Sequence, residues 1–125
     1  MGYELQSEFV AVVDDDDSVR TALQGLLKSV GLPARMYASG ELFLDSGDQH
    51  QTACLIADIR MPGMSGLDLQ SKLNAQRCYI PTIFITAHGD QEMRLQAMRA
   101  GAVEFLPKPF DDELLLESVR AALER

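Results

Sequence analysis

Short apolar runs rich in β-branched residues alternate along this chain with segments whose apolar residues repeat every three or four positions. The runs have the length and composition of buried β-strands, and the repeats are typical of amphipathic α-helices. We interpret the pattern as five strands alternating with five helices. Because parallel strands are joined almost always by right-handed crossovers, this alternation predicts an α/β domain with a parallel sheet and helices on both faces.

Turn and capping residues set the limits of the predicted elements. The five strands are expected over residues 9–13, 34–37, 53–57, 82–85 and 103–106. The helices are expected to begin at Asp17 or Ser18, at Ser39, at the capping box Ser65–Asp68, at Asp90 or a neighbour, and at the acidic turn Asp111–Glu113. The glycines at positions 31, 47 and 101 are expected to end the first, second and fourth helices.

The composition favours one globular domain with no nucleic-acid or membrane partner of its own. The 125 residues are 46% hydrophobic, and 19 acidic against 11 basic side chains give a net charge of -8, which opposes binding to DNA or anionic lipid. Cys54 and Cys78 show neither metal-ligand spacing nor a disulfide pattern, so we expect both to be reduced. Residues 1–8 are interpreted as a tail without signal-peptide features, and the protein is expected to be cytoplasmic.

Polar side chains follow the carboxyl ends of four predicted strands. Asp14 and Asp15 follow the first strand, Asp58 the third, Thr86 the fourth and Lys108 the fifth. In an open, doubly wound sheet, binding sites form beyond the carboxyl ends of the strands, where the strand order reverses. If the first and third strands are neighbours, as in the flavodoxin-like order 2-1-3-4-5, the three carboxylates share one pocket.

Three neighbouring carboxylates repel one another unless a proton or a cation compensates them. Mg²⁺ is the simplest cation for such a pocket, because it prefers oxygen ligands and retains waters; the backbone carbonyl of Arg60 is expected to be a further ligand. Lys108 and the Thr86 hydroxyl would then neutralise and hydrogen-bond a phosphoryl group on Asp58, whose carboxylate would be the nucleophile.

Four motifs in order along the chain resemble those of the receiver domain of two-component response regulators. The resemblance runs in register from about Phe9 to Arg125, and its motifs are residues 12–16 (VVDDD), 58–66 (DIRMPGMSG), 85–87 (ITA) and 101–110 (GAVEFLPKPF). It implies a flavodoxin-like, doubly wound (βα)5 fold and a phosphorylation-activated signalling switch. Such a domain is a phosphoacceptor that assists its own phosphorylation and dephosphorylation rather than an enzyme.

The resemblance also implies a role for each site residue. Asp58 would accept the phosphoryl group from a cognate histidine kinase or a small phosphodonor. Asp14 and Asp15 would hold Mg²⁺, while Thr86 and Lys108 would contact the phosphoryl oxygens.

The switch itself would use Thr86 and Phe105, an aromatic position whose rotamer is coupled to Thr86 in this family. The change would reach a surface made by the fourth helix, the fifth strand and the fifth helix, which would dimerise or control an output. Lys108–Pro109 resembles the family's cis peptide bond.

The sequence context around residues 101–110 is most similar to regulators of the nodulation and nitrogen-fixation type, whose output is a helix-turn-helix DNA-binding domain. No such domain follows in this chain, so it is either part of a longer regulator or a stand-alone receiver. Transcription is the expected output, and DNA would be contacted only through the output domain.

Each residue also has a simpler structural interpretation when taken alone. The acidic run 14–17 would be a helix-capping turn, Thr86 a strand residue and Lys108 a surface lysine. Phe105 fits a core aromatic more securely than a switch, and His88, two positions after Thr86, fits a solvated loop histidine.

Two other functional classes remain open. Residues 14–19 also fit the nucleophile loop of haloacid-dehalogenase-like phosphatases, in which Asp14 would be the nucleophile and Asp16 the acid/base. That interpretation leaves Asp58 without a role. The second alternative is a receiver-like interaction module that is never phosphorylated.

Overall fold

A five-stranded parallel sheet lies between two layers of helices in the computed structural model, which describes residues 8–87 and 91–124. The strands are β1 Phe9–Val13, β2 Ala34–Tyr37, β3 Thr52–Asp58, β4 Thr82–Thr86 and β5 Glu104–Pro107. The helices are α1 Asp17–Ser29, α2 Gly40–Ser46, α3 Gly66–Ala75, α4 Gln91–Arg99 and α5 Asp112–Leu123. The strand order β2-β1-β3-β4-β5 confirms the predicted flavodoxin-like fold.

Most predicted helix starts are confirmed by their capping hydrogen bonds. Ser39 caps α2, Asp111 caps α5, and Ser65 with Asp68 forms a complete capping box at α3. Asp90, the expected start of α4, lies outside the described residues, and so do residues 1–7 of the expected tail.

The predicted cap of α1 was wrong by one position. Asp16, rather than Asp17 or Ser18, is the N-cap, and its Oδ1 accepts hydrogen bonds from the Ser18 and Val19 amides at 2.8 and 3.3 Å. The backbone of Asp16 is extended, at φ -88° and ψ 114°, so the helical conformation begins with Asp17 itself. A short 3-10 helix over Asp48–Gln51 was not predicted.

The sheet separates two apolar cores. One lies against α2, α3 and α4 and includes Phe43 and Leu69; the other lies against α1 and α5 and includes Leu27 and Leu115. Every residue of β1 is buried, because alternate side chains enter opposite cores. The central strands are therefore fixed on both faces, and the loops at their carboxyl ends begin from rigid positions.

Tyr37, at the end of the edge strand β2, makes a partly buried hydrogen bond that provides a pH test of this fold. Its hydroxyl donates to Asp48 Oδ2 at 2.6 Å, and Arg35 Nη1 lies 3.3 Å from the same oxygen. Burial, together with the bond to Asp48, raises the pKa of Tyr37 to about 12. The folded state therefore holds the phenolic proton more tightly than the unfolded state does.

We expect the stability contributed by this proton to be complete below about pH 10 and to be lost as the pH rises towards about 12. Urea unfolding of the wild type and of Tyr37→Phe should differ by about 1 kcal/mol at neutral pH, and the difference should shrink across that window. A difference that stays constant to pH 12 would contradict the role given to the Tyr37 hydroxyl.

Candidate functional site

Three carboxylates meet at the carboxyl ends of the neighbouring strands β1 and β3. Val13 of β1 is in register with Ala57 of β3, so the residues that follow them lie side by side. One oxygen from each of Asp14, Asp15 and Asp58 lies within 4.8 Å of the other two. Asp14 is 0% exposed and Asp58 is 6% exposed, whereas Asp15 is open to solvent. The predicted convergence of these three side chains in one pocket is confirmed.

The Lys108 ammonium group lies between two of these carboxylates. Its Nζ is 2.8 Å from Asp14 Oδ2 and 3.2 Å from Asp58 Oδ2. The contact with Asp58 has the geometry of a hydrogen bond, and the contact with Asp14 is the shorter of the two ion pairs. The Lys108 amide donates to the Thr86 carbonyl oxygen at 3.0 Å, and the Lys108–Pro109 bond is cis, as the family resemblance implied.

The site therefore favours positive charge. Burial and the neighbouring Asp14 charge raise the pKa of Asp58, although Lys108 acts in the opposite direction. Burial opposes the charged form of Lys108, but the two carboxylates outweigh it and raise the pKa of Lys108. The three carboxylates carry more negative charge than the one ammonium group neutralises, and their oxygen atoms can act as metal ligands. The site can therefore accept one divalent cation.

The loop that carries Asp14 is held by a residue that the sequence did not single out. Arg20 Nη1 donates to the Asp14 carbonyl oxygen at 2.7 Å, and Arg20 Nη2 lies 2.9 Å from Asp17 Oδ1. The Asp16 amide also donates to Asp14 Oδ1 at 2.9 Å. The spacing of Asp17 and Arg20, three apart on one helix, indicates the ion pair but not the bond to the Asp14 backbone.

The remaining candidate residues within the described part of the chain differ in burial. Thr86 ends β4 and is 3% exposed. Phe105 is half-buried beside one core, its ring centroid 6.5 Å from that of Phe84, so its interpretation as a core aromatic holds in part. The Arg60 side chain is exposed, and its amide donates to Asp58 Oδ1 at 3.4 Å. His88 lies outside the described residues.

Residues 10–120 match the sequence model of the response regulator receiver domain. The chain belongs to this family. As a receiver domain of the two-component systems, it carries the acidic triad Asp14, Asp15 and Asp58 that is typical of the family's Mg²⁺ site. The match assigns residues 14–19 to a receiver, so the phosphatase interpretation is not supported. In agreement, the Asp16 carboxylate caps α1.

Similar curated proteins are transcriptional and nodulation regulators. The receiver is 49% identical over 116 residues to nodulation protein W of Bradyrhizobium diazoefficiens and 46% identical over 116 residues to the transcriptional regulatory protein FixJ of Azorhizobium caulinodans. Each alignment covers 93% of this chain but only 51% and 55% of those proteins. The chain thus spans about half the length of the curated relatives it matches.

Solved structures show the same fold. The receiver superposes with a TM-score of 0.88 on the response regulator StyR, at 47% identity, covering 94% of this chain and 60% of that one. It superposes with a TM-score of 0.85 on FixJ-N, at 40% identity, covering 95% of each chain. None of the helices within residues 8–87 and 91–124 is both long and apolar enough to cross a bilayer.

Proposed function

We propose that this receiver domain is a phosphorylation switch in which Asp58 accepts a phosphoryl group from a cognate histidine kinase. The observation that carries the proposal is the position of Asp58, which is nearly buried beside Asp14 and lies 3.2 Å from the Lys108 ammonium group. An Asp58 oxygen would attack phosphorus, forming a P–O bond while the P–N bond to the kinase imidazole breaks. The imidazole leaves with the electron pair and takes up a proton.

The side chains around Asp58 would stabilise the added charge. The Lys108 ammonium group lies 3.2 Å from Asp58 and would form an ion pair with a phosphoryl oxygen as negative charge develops there. The Thr86 hydroxyl, at the end of the neighbouring strand β4, would donate to another. No general base is required, since Asp58 reacts as the carboxylate.

The residues present fit a Mg²⁺ ion. Asp14, Asp15 and Asp58 would hold it, with the Arg60 backbone carbonyl as a proposed further ligand, and all four groups offer the hard oxygen atoms that this ion prefers. When bound, it would supply charge neutralisation to the phosphoryl oxygens. Asp14 Oδ2 supports this assignment, because it is buried and is compensated only by the ion pair with Lys108 among the described residues.

The signal would leave the site through Thr86 and Phe105. Phosphorylation would draw Thr86 towards Asp58, and the half-buried Phe105 ring would fill the vacated space. The surface of α4, β5 and α5 would change and would form a homodimer or control an output. Phosphorylation would shift a population that already exists in the unmodified protein.

The output is proposed to be transcription, in line with the regulators that the chain resembles. Residues 1–125 would form one receiver domain, and DNA would be contacted only by an output domain outside this segment. The cytoplasmic location stays a prediction for this chain.

Mg²⁺ binding provides a first test of the proposal. At 100 times its dissociation constant, Mg²⁺ should raise the free energy of unfolding by about 2.7 kcal/mol. Asp14→Asn should abolish most of that gain, because it removes a buried ligand. Asp45→Asn, which removes an exposed carboxylate of α2, is the matched control and should keep it. Equal Mg²⁺ stabilisation of all three proteins would contradict the proposed metal site.

A further inference from the structure

The loop between β3 and α3, residues 59–65, is restrained at its base and near its far end. At the base, the Gly66 amide donates to the Ile59 carbonyl oxygen at 2.9 Å, and a Cβ at Gly66 would collide with the Asp58 carbonyl oxygen. Near the far end, Glu41 Oε2 accepts a hydrogen bond from the Met64 amide at 3.1 Å. A residue 23 positions earlier in the chain therefore restrains the loop that follows Asp58.

The first turn of α2 and this loop approach each other closely at two glycines. A Cβ at Gly63, where φ is +75°, would lie 2.7 Å from Glu41 Oε2. A Cβ at Gly40, in α2, would lie 2.9 Å from Met64 Sδ. Both distances are too short for a real Cβ, so a larger residue at either position would displace the Glu41 carboxylate or the Met64 thioether, and the positive φ at Gly63 also favours glycine. The Glu41 carboxylate is thus packed against the loop backbone as well as hydrogen-bonded to it.

Glu41 projects from a fixed position. Ser39 Oγ accepts a hydrogen bond from the Leu42 amide at 3.1 Å and caps α2, while Phe43 is fully buried in the core beneath. The side chain is exposed to solvent and lies in the first turn of the helix, where a negative charge is favourable. The core and the cap therefore hold the helix, and Glu41 transmits that restraint to the loop.

We infer that Glu41 is a positioning residue of the receiver site. It holds the loop that carries Arg60, whose backbone carbonyl is a proposed Mg²⁺ ligand, and so increases the affinity of the site for the ion. Glu41 acts through the Met64 amide and not through its charge. The inference rests on the proposed function, because it concerns the proposed metal site.

The test compares Glu41→Ala, Glu41→Gln and Asp45→Ala in the full chain. Glutamine keeps an acceptor oxygen without the charge. Asp45→Ala removes a carboxylate from the same helix at an exposed position that makes no hydrogen bond or ion pair within the described residues. Two quantities are measured: the exchange rate of the Met64 amide hydrogen without metal, by NMR, and the Mg²⁺ dissociation constant, by calorimetry.

Glu41→Ala should speed exchange of the Met64 amide and weaken Mg²⁺ binding by about threefold to tenfold, the effect of losing one hydrogen bond. For Glu41→Gln and for Asp45→Ala, the Met64 exchange rate and the Mg²⁺ dissociation constant should both stay within about twofold of the wild-type values. Circular dichroism checks that each variant is folded. We expect all three variants to fold, because Glu41 and Asp45 are both exposed.

If Glu41→Ala had the same Mg²⁺ affinity and the same Met64 amide exchange rate as the wild type, the inference would be overturned. The proposed function would stand. Equal weakening by the alanine and glutamine variants would also overturn it, since the charge would then be the cause. If the wild type itself bound no Mg²⁺, the proposed metal site would fail and the inference with it. The wild-type measurement therefore separates the two failures.

Discussion

Phosphoryl uptake from acetyl phosphate is expected to fall to background when Asp58 is replaced by asparagine. The amide has nearly the same shape as the carboxylate but lacks its nucleophilic charge, so Lys108 and the rest of the pocket stay in place while the P–O bond no longer forms. Intact-mass spectrometry of the protein incubated with Mg²⁺ and acetyl phosphate measures the uptake.

Loss of folding does not explain that expected result. The pKa of Asp58 is raised by burial and by Asp14, so above that pKa the ionised side chain lowers the stability of the folded state. Asp58→Asn should therefore be at least as stable as the wild type at neutral pH without divalent cations. Asp45→Asn serves as the charge control and should keep full phosphoryl uptake. Undiminished uptake by Asp58→Asn would assign the phosphoryl group to another residue.

Replacement of Lys108 by methionine is expected to lower the free energy of unfolding by about 2 to 3 kcal/mol at neutral pH without Mg²⁺. The ammonium group compensates two carboxylates at 2.8 and 3.2 Å, and its removal leaves two buried negative charges without a compensating positive charge. This effect lies at or just below the range of about 3 to 5 kcal/mol for fully buried ion pairs, because the Lys108 side chain is 16% exposed. Urea unfolding monitored by circular dichroism measures it.

Two comparisons isolate the cause in the Lys108 experiment. Lys72→Met, at an exposed position of α3, should change the stability by less than about 0.5 kcal/mol. Adding Asp58→Asn to Lys108→Met should restore part of the loss, because one of the two repelling carboxylates is then neutral. Lys108→Met should also bind Mg²⁺ more tightly, since a competing cation is gone. A loss that the second substitution does not reduce would contradict the ion-pair account.

The parts of the fold that depend on local pattern were predictable from the sequence. Apolar runs and capping residues located β1 to β5 and the caps Ser39, Ser65 and Asp111. The strand order came with the family resemblance, because periodicity does not specify which strands are neighbours. Within the site, Asp14 and Asp58 were predictable because each directly ends or follows a buried strand.

Other features depend on contacts that sequence spacing does not encode. Arg20 and Glu41 each form a hydrogen bond with a loop backbone, at the Asp14 carbonyl and the Met64 amide. Because nearly every residue has the same backbone groups, the residue types do not indicate which of these groups is bonded. The predicted cap of α1 was wrong by one residue, because several neighbouring aspartates have a side chain suitable for capping. The extended backbone of Asp16 identifies it as the cap.

Locating the phosphoryl group within the wild-type chain tests the central claim most directly. The protein is incubated with Mg²⁺ and acetyl phosphate, the acyl phosphate is reduced with borohydride, and the modified residue is identified by peptide mass spectrometry. We predict a single modified residue, Asp58. Modification of Asp14 in place of Asp58, or no modification under conditions in which Mg²⁺ binds, would contradict the account.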